Sequence, residues 1–161
     1  MMRHPTSSQG IALLELVVGL SIISVALAAL LLSYKAHLRA GLANTQSLKA
    51  AYLSEEAFEA VRFMRDSGWT KNIASLVNGT AYYLYWSGSS WTSTSTVQNV
   101  DGFSRSFKVS AVNRDSNDDI VTSGGTLDSN AKKVDVTVAW NPGNATTTKV
   151  LSTYITNLFN N

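Results

Sequence analysis

Few side chains in this 161-residue chain are of a type that does covalent chemistry. It has two histidines, His4 and His37, and no cysteine. His4 falls in a polar opening segment and His37 just beyond an apolar run. A nucleophilic triad needs a base within hydrogen-bond reach of its Ser or Cys, and a structural zinc needs a set of His and Cys ligands. Neither set can be assembled, so no enzymatic activity is expected. Oxygen ligands are better supplied. Asp115, Asn117 and Asp119 take the first, third and fifth positions of the run Asp115-Ser116-Asn117-Asp118-Asp119, as the ligands of a calcium loop do. The sixth position is Ile120 where that loop needs Gly, and the twelfth is Thr126 where it needs Glu. Asp and Asn in such a run also cap their own backbone in a hairpin turn. A turn is expected here, with calcium as its alternative and no other cofactor.

One further ionisable group stands out by its surroundings. Residues 11–32 are almost wholly Ile, Leu, Val, Ala, Gly and Ser, and their single charge is Glu15. A run of this length matches the ~20 residues a helix needs to cross a bilayer core. A carboxylate there costs about 2.5–3.5 kcal/mol on insertion scales, so it carries a functional hypothesis and needs a partner. Cleavage between Gly10 and Ile11 would give Ile11 a free α-amino group, cationic at neutral pH. Glu15 lies four residues on, on the same helix face, and the amine sits at the positive end of the helix dipole. The pair forms within one subunit or between the amine of one subunit and Glu15 of the next. The alternative is a Glu near the membrane edge that snorkels to the interface.

The stretch Gln9-Gly10-Ile11-Ala12-Leu13-Leu14-Glu15, with a short basic leader before it and the apolar run behind it, resembles the type III signal of type IV pilins and type II secretion pseudopilins. In that resemblance Gly10 matches the glycine before the cut, Ile11 the first mature residue, which is N-methylated, and Glu15 the glutamate needed for assembly. Two features depart from the family pattern. The first mature residue is most often Phe there and is Ile11 here, and the late helix-kinking proline of many members is missing, which implies a straighter helix. The segment from Glu55 to Trp69, EEAFEAVRFMRDSGW, resembles minor pilin-like proteins of the PilV type. Read from its residues alone, it is a helix end pinned by an Arg65–Asp66 pair, with Trp69 packed under a sheet.

The rest of the chain fits one compact domain of about 90 residues. Its formal charge of +2 falls to about +1 once Arg3 leaves with the leader, too little to steer nucleic acid, and no nucleic-acid partner is expected. Without cysteine the core must hold without disulfides, unlike the many pilins that close a C-terminal loop with one. Residues 1–10 read as a processed leader. A rival reading uses Ala26-Leu27-Ala28 as an ordinary signal-peptidase site that releases a soluble domain after Ala28. Against it, the apolar run continues to Leu32 and holds Glu15. Lys35 and Arg39 balance Arg3 across the run, so charge does not set the orientation.

No proline interrupts residues 33–66, and Leu42, Ala50, Leu53, Ala57, Ala60 and Met64 recur at helical spacing, widened by Phe58 and Val61. Glu55, Glu59 and Arg62 fall on the other side. A helix over residues 11–66 would be about 84 Å long. It is apolar all round in its first half and amphipathic in its second, and Gly68 is expected at its C′ position. Beyond Trp69 the pattern alternates. Strands are expected over 82–86, from Trp91, over 103–111 with Arg105 as the one cation on its apolar face, over 120–122, over 134–140 and over 149–158. Asn141-Pro142-Gly143-Asn144 reads as a turn. Of Tyr82, Tyr83, Tyr85, Trp86 and Trp91, which could stack sugars or bases, about half should be core.

The expected architecture is α+β and pilin-like: leader 1–10, membrane-spanning half-helix 11–32, amphipathic half-helix 33–67 and antiparallel β head 68–161. The resemblance implies single-pass insertion in the cell (inner) membrane, then an extracytoplasmic filament or the cell surface. It implies other pilin subunits, a prepilin peptidase and membrane lipid as partners. The alternatives are an adhesin or ligand-binding module displayed on such a filament, and the soluble secreted domain.

Overall fold

The computed structural model describes residues 8–143 and 145–160. The expected leader residues 1–7, with Arg3 and His4, and the turn residue Asn144 lie outside them. Helix α1 runs Ser8–Asp66 without a break. The chain divides into two units, the helix up to Asn44 and the unit Thr45–Asn161.

In the first unit the apolar side chains of the helix are exposed, from Ile11 at 70% to Val18 at 48%. One 18-residue window has a mean hydropathy of 2.6 and buries nothing against the rest of the chain, so this helix is long and apolar enough to cross a membrane. Ser21 and Ser24 do not spoil that character. Their hydroxyls donate to the carbonyls of Val18 and Leu20 at 2.7 and 2.8 Å, which satisfies them inside the helix.

The second unit joins the end of α1 to a seven-stranded antiparallel sheet. The strands are β1 Tyr82–Trp86, β2 Trp91–Thr94, β3 Asn99–Val100, β4 Phe103–Arg114, β5 Ile120–Val121, β6 Thr126–Trp140 and β7 Thr147–Thr156. Their order is β2-β1-β4-β6-β7, with β3 and β5 paired to β4. The helix contributes Ala50, Leu53, Ala57, Ala60, Val61 and Met64 to the core, one residue every three or four. Alanine at three of these positions lets the backbone approach the sheet closely. Buried Ser54 sits in the same stripe because its hydroxyl donates to the Ala50 carbonyl at 2.8 Å. From the sheet come Phe103, Phe107 and Val109 of β4 and Val134, Val136, Val138 and Trp140 of β6. These alternate with outward residues as a half-buried strand requires. Leu42, expected in the helical stripe, is 59% exposed, and the core begins at Ala50.

Several boundaries correct the sequence expectation. Beyond Asp66 the chain does not go straight to strands. It makes a π-helical turn, Thr70–Ala74, whose Asn72 side chain donates to the Met64 carbonyl in the last turn of α1 at 2.9 Å. Gly68 has φ 150°, far from the left-handed helical value expected of a C′ glycine. In β4, Ala111 is exposed and Val112 buried, the reverse of simple alternation. The cause is a β-bulge: Ala111 pairs with Lys132 but Val112 pairs with Asp128, so residues 129–131 of β6 have no partner on β4 and the inward face switches. Strand β4 thus runs three residues past the expected end. β6 starts eight residues before its expected start, and β7 spans Thr147–Thr156 instead of 149–158. Gly125, at φ 71°, closes the β5–β6 turn where a Cβ would lie 2.5 Å from the Arg114 carbonyl oxygen, so no other residue fits without moving backbone.

Candidate functional site

Gly10, Ile11 and Glu15 lie on the exposed first turns of α1. A Cβ built at Gly10 meets nothing within 4 Å. Among the described residues nothing demands glycine there. Glu15 has neither an ion pair nor a hydrogen bond among the described residues. Two turns further on, the surroundings are wholly apolar apart from the two self-satisfied serines. Lys35, His37 and Arg39 follow, all exposed.

Among the described residues the head holds one buried charge. Arg105 of β4, the cation expected on an apolar face, is 3% exposed. Its Nη1 lies 2.9 Å from Glu56 Oε2 of α1, and its guanidinium stands 5.5 Å from the centroid of Trp91. Nη1 and Nε nevertheless make no aligned hydrogen bond. The ion pair is therefore a matter of charge and proximity, with the Trp91 face as second neighbour. The sequence marked Arg105 by alternation, but its partner emerges only when the helix packs on the sheet.

None of the five aromatic residues is fully buried, against the expectation that about half would be core: Tyr82, Tyr83 and Trp91 are half-buried, and Tyr82 and Trp91 pack against the edge of the core. Tyr82 packs against Phe107, with ring centroids 5.9 Å apart, and its hydroxyl accepts the Val77 N–H. Trp86 meets Trp91 edge to face at 5.5 Å. Tyr85 and Trp86 remain 46% and 49% exposed. Trp91 also walls a groove of about 350 Å³ with Glu59, Arg62 and Phe63 of α1. The helix end is pinned as expected, with Arg65 Nε 2.7 Å from Asp66 Oδ1, and Trp69 is buried. Arg62 pairs with Glu59 one turn back.

Asp115 spends its carboxylate on its own loop. One oxygen accepts the N–H groups of Asn117 at 2.8 Å and Asp119 at 3.0 Å, and Asp118 turns the chain at φ 68°. The adjacent Arg114 places Nε 2.7 Å from Asp128 and Nη1 2.8 Å from the Asp118 carbonyl. Its hydrogen bond holds the Asp128 carboxyl below the usual range, against a smaller opposing effect of burial. The same bond raises the Arg114 pKa. Asp115, Asn117 and Asp119 thus share one tight turn, with the Arg114 guanidinium bonded to its Asp118 carbonyl. Among the described residues no group of three or more His, Cys, Asp or Glu side chains is placed to hold a metal. Two further pairings were invisible in the sequence, one made by helix-to-turn packing and the other by strand register. Lys49 meets Asp101 at 2.9 Å and lowers its pKa. Burial pushes the Asp135 carboxyl up, but Ser152, Lys133 and Lys108 together outweigh it and hold it low.

Compared with protein-family models, with curated proteins and with solved structures, the chain matches none. What the coordinates define is an α+β protein. Its N-terminal helix has the length and apolarity of a membrane span and continues into the element that backs an antiparallel sheet. That architecture is compatible with a pilin-like subunit.

Proposed function

We propose that this chain is a structural subunit, of minor-pilin or pseudopilin type, of a type IV pilus or type II secretion-like filament. The observation that carries the reading is Glu15: a single carboxylate, without a partner among the described residues, in an exposed helix stretch that otherwise suits lipid. A prepilin peptidase cuts after Gly10, Ile11 is N-methylated, and the subunit waits in the inner membrane as a single-pass protein. On assembly its amine meets Glu15, and neighbouring subunits replace lipid around the helix. No catalytic role is assigned. The test is Glu15→Ala. The variant should be cut normally and stay in the membrane, because losing a charge makes the helix more apolar. It should be missing from sheared filaments, because an amine without a counter-ion in a low-dielectric bundle costs several kcal/mol. Glu15→Gln should fail nearly as badly, and Glu15→Asp should keep part of the function. Entry of Glu15→Ala into filaments at the parent's level would refute the charge pair.

The exposure of Tyr85 and Trp86 favours a second reading, a ligand-binding module displayed on such a filament. Trp86→Ala should then lower adhesion to a glycan surface without changing the amount of filament.

A further inference from the structure

A groove of about 350 Å³ lies wholly within the unit Thr45–Asn161, where the last turns of α1 meet Trp91 of β2. Its volume falls at the low end of the roughly 300–1,000 Å³ of small-molecule sites. Three carboxylates stand around it, those of Glu56, Glu59 and Asp66. Each has its own guanidinium. Glu56 meets Arg105 at 2.9 Å, Glu59 meets Arg62, and Asp66 meets Arg65 at 2.7 Å. The three acids and three arginines cancel, so they give the groove no net charge with which to select an anion or a cation. They present acceptors and donors side by side instead. A carboxylate only accepts hydrogen bonds and a guanidinium only donates them, whereas a hydroxyl group does both.

Two rings complete the groove. Phe63 lies outside the core stripe of α1 and is 45% exposed, and Trp91 is half-buried. Behind them stands Arg105, buried, adjoining the groove walls Glu56 and Trp91, with Nε and Nη1 making no aligned hydrogen bond. Stability does not ask for such a residue, since an apolar side chain of similar volume would serve a core as well or better. Its position does fix the Glu56 carboxylate and the Trp91 ring at the groove. We infer that the groove binds one ring of a neutral saccharide. The apolar face of the sugar lies on Phe63 and Trp91, and its hydroxyls donate to Glu56 and Glu59 and accept from Arg62. Arg105 is a positioning residue and does not touch the sugar. The inference rests on the second reading above, a ligand-binding head, and gives it a site and a ligand class. It does not depend on filament assembly.

Full-length protein, purified in a detergent without a sugar headgroup, is titrated with maltose, lactose, cellobiose and N,N′-diacetylchitobiose, and saturation-transfer NMR reads the affinity for each. At least one of these neutral disaccharides should bind, and added salt should not weaken it, because no ion pair forms with the ligand. Sialyllactose and a lysine-rich peptide, the anionic and cationic probes, should bind more weakly. Phe63→Leu keeps apolar bulk and should lower disaccharide affinity about tenfold, whereas Phe63→Tyr should keep it. Arg105→Met should weaken binding severalfold while melting close to the parent, a combination that a merely structural role would not give. Glu59→Gln leaves Arg62 without its carboxylate and should shift preference towards sialyllactose. Preference of the parent for sialyllactose or for the lysine peptide overturns the inference, and so does disaccharide affinity unchanged by Phe63→Leu. Binding lost in Tyr85→Ala but not in Phe63→Leu overturns the groove and leaves the second reading standing. No binding of any disaccharide overturns both.

Discussion

Glu56→Gln should destabilise the head more than removing its buried partner, Arg105→Met. Arg105 is 3% exposed, and the Glu56 carboxylate is its nearest counter-charge at 2.9 Å. Breaking a fully buried pair by removing one partner costs about 3–5 kcal/mol, because a charge is left behind. The side chain of Glu56 is 49% exposed, so water already screens part of the interaction, and the expected cost falls to about 1–2 kcal/mol. Trp91 stays over the guanidinium and retains roughly 1 kcal/mol of cation–π attraction. Arg105→Met removes the buried charge and fills similar volume, so it should cost under about 1 kcal/mol or stabilise. Adding Glu56→Gln to Arg105→Met should then cost almost nothing. In thermal melts of the full-length protein in detergent, followed by tryptophan fluorescence, each kcal/mol shifts Tm by about 4 °C. If Arg105→Met melts well below Glu56→Gln, or the two effects simply add, the pair is not the reason Arg105 is tolerated in the core.

Co-expression with a prepilin peptidase should yield a mature chain starting at Ile11. Gly10→Ala should be cut better than Gly10→Val because the peptidase approaches the backbone closely, and N-terminal mass spectrometry reads both. A chain starting at Ala29 would instead establish ordinary secretion. Stability should be flat from neutral pH to about pH 5 and fall below about pH 4. The depressed folded-state pKa values of Asp101, Asp128 and Asp135 give stability that is present above the unfolded carboxylate value and lost as pH drops through the folded one. Asp128→Asn should flatten that acid limb in a pH series of melts. Chelators should leave Tm unchanged, since the Asp115 carboxylate is engaged by its own turn. Calcium at about 100 times its dissociation constant would otherwise add about 2.7 kcal/mol, and a rise of several degrees would overturn the turn reading.

The parts of the fold that were legible in the sequence follow from period alone. Val134, Val136, Val138 and Trp140 alternate because one face of β6 is buried, and Ala50 to Met64 recur every three or four residues because one face of α1 is. Leu42 misled because it keeps the helical spacing of the stripe, eight residues before Ala50, while the buried core begins only at Ala50. Ala111 and Val112 were exchanged because a bulge is spent in the partner strand. Asp128-Ser129-Asn130 looks like loop and is in fact the irregular part of β6. The partner of Arg105 depends on which helix turn lies across β4, which no local pattern encodes. At the N-terminus the structure adds only that Gly10, Ile11 and Glu15 are exposed on α1, and the chemistry proposed for them rests on the sequence.

The two units suit different solvents, and that difference isolates Glu15. Residues from Thr45 onward bury a core of Ala, Val, Phe and Trp side chains against one another and can be satisfied in water. The helix up to Asn44 buries none of its large apolar side chains against its own chain. Lipid would satisfy nearly every residue from Ile11 to Leu32: the aliphatic side chains by transfer, and Ser21 and Ser24 by their bonds to helix carbonyls. It would not satisfy Glu15. A membrane anchor needs no carboxylate there, and a leucine in its place would insert better. The residue makes physical sense when a cation reaches it at that depth. In the proposed filament, a second copy cut after Gly10 would supply one as the α-amino group of Ile11.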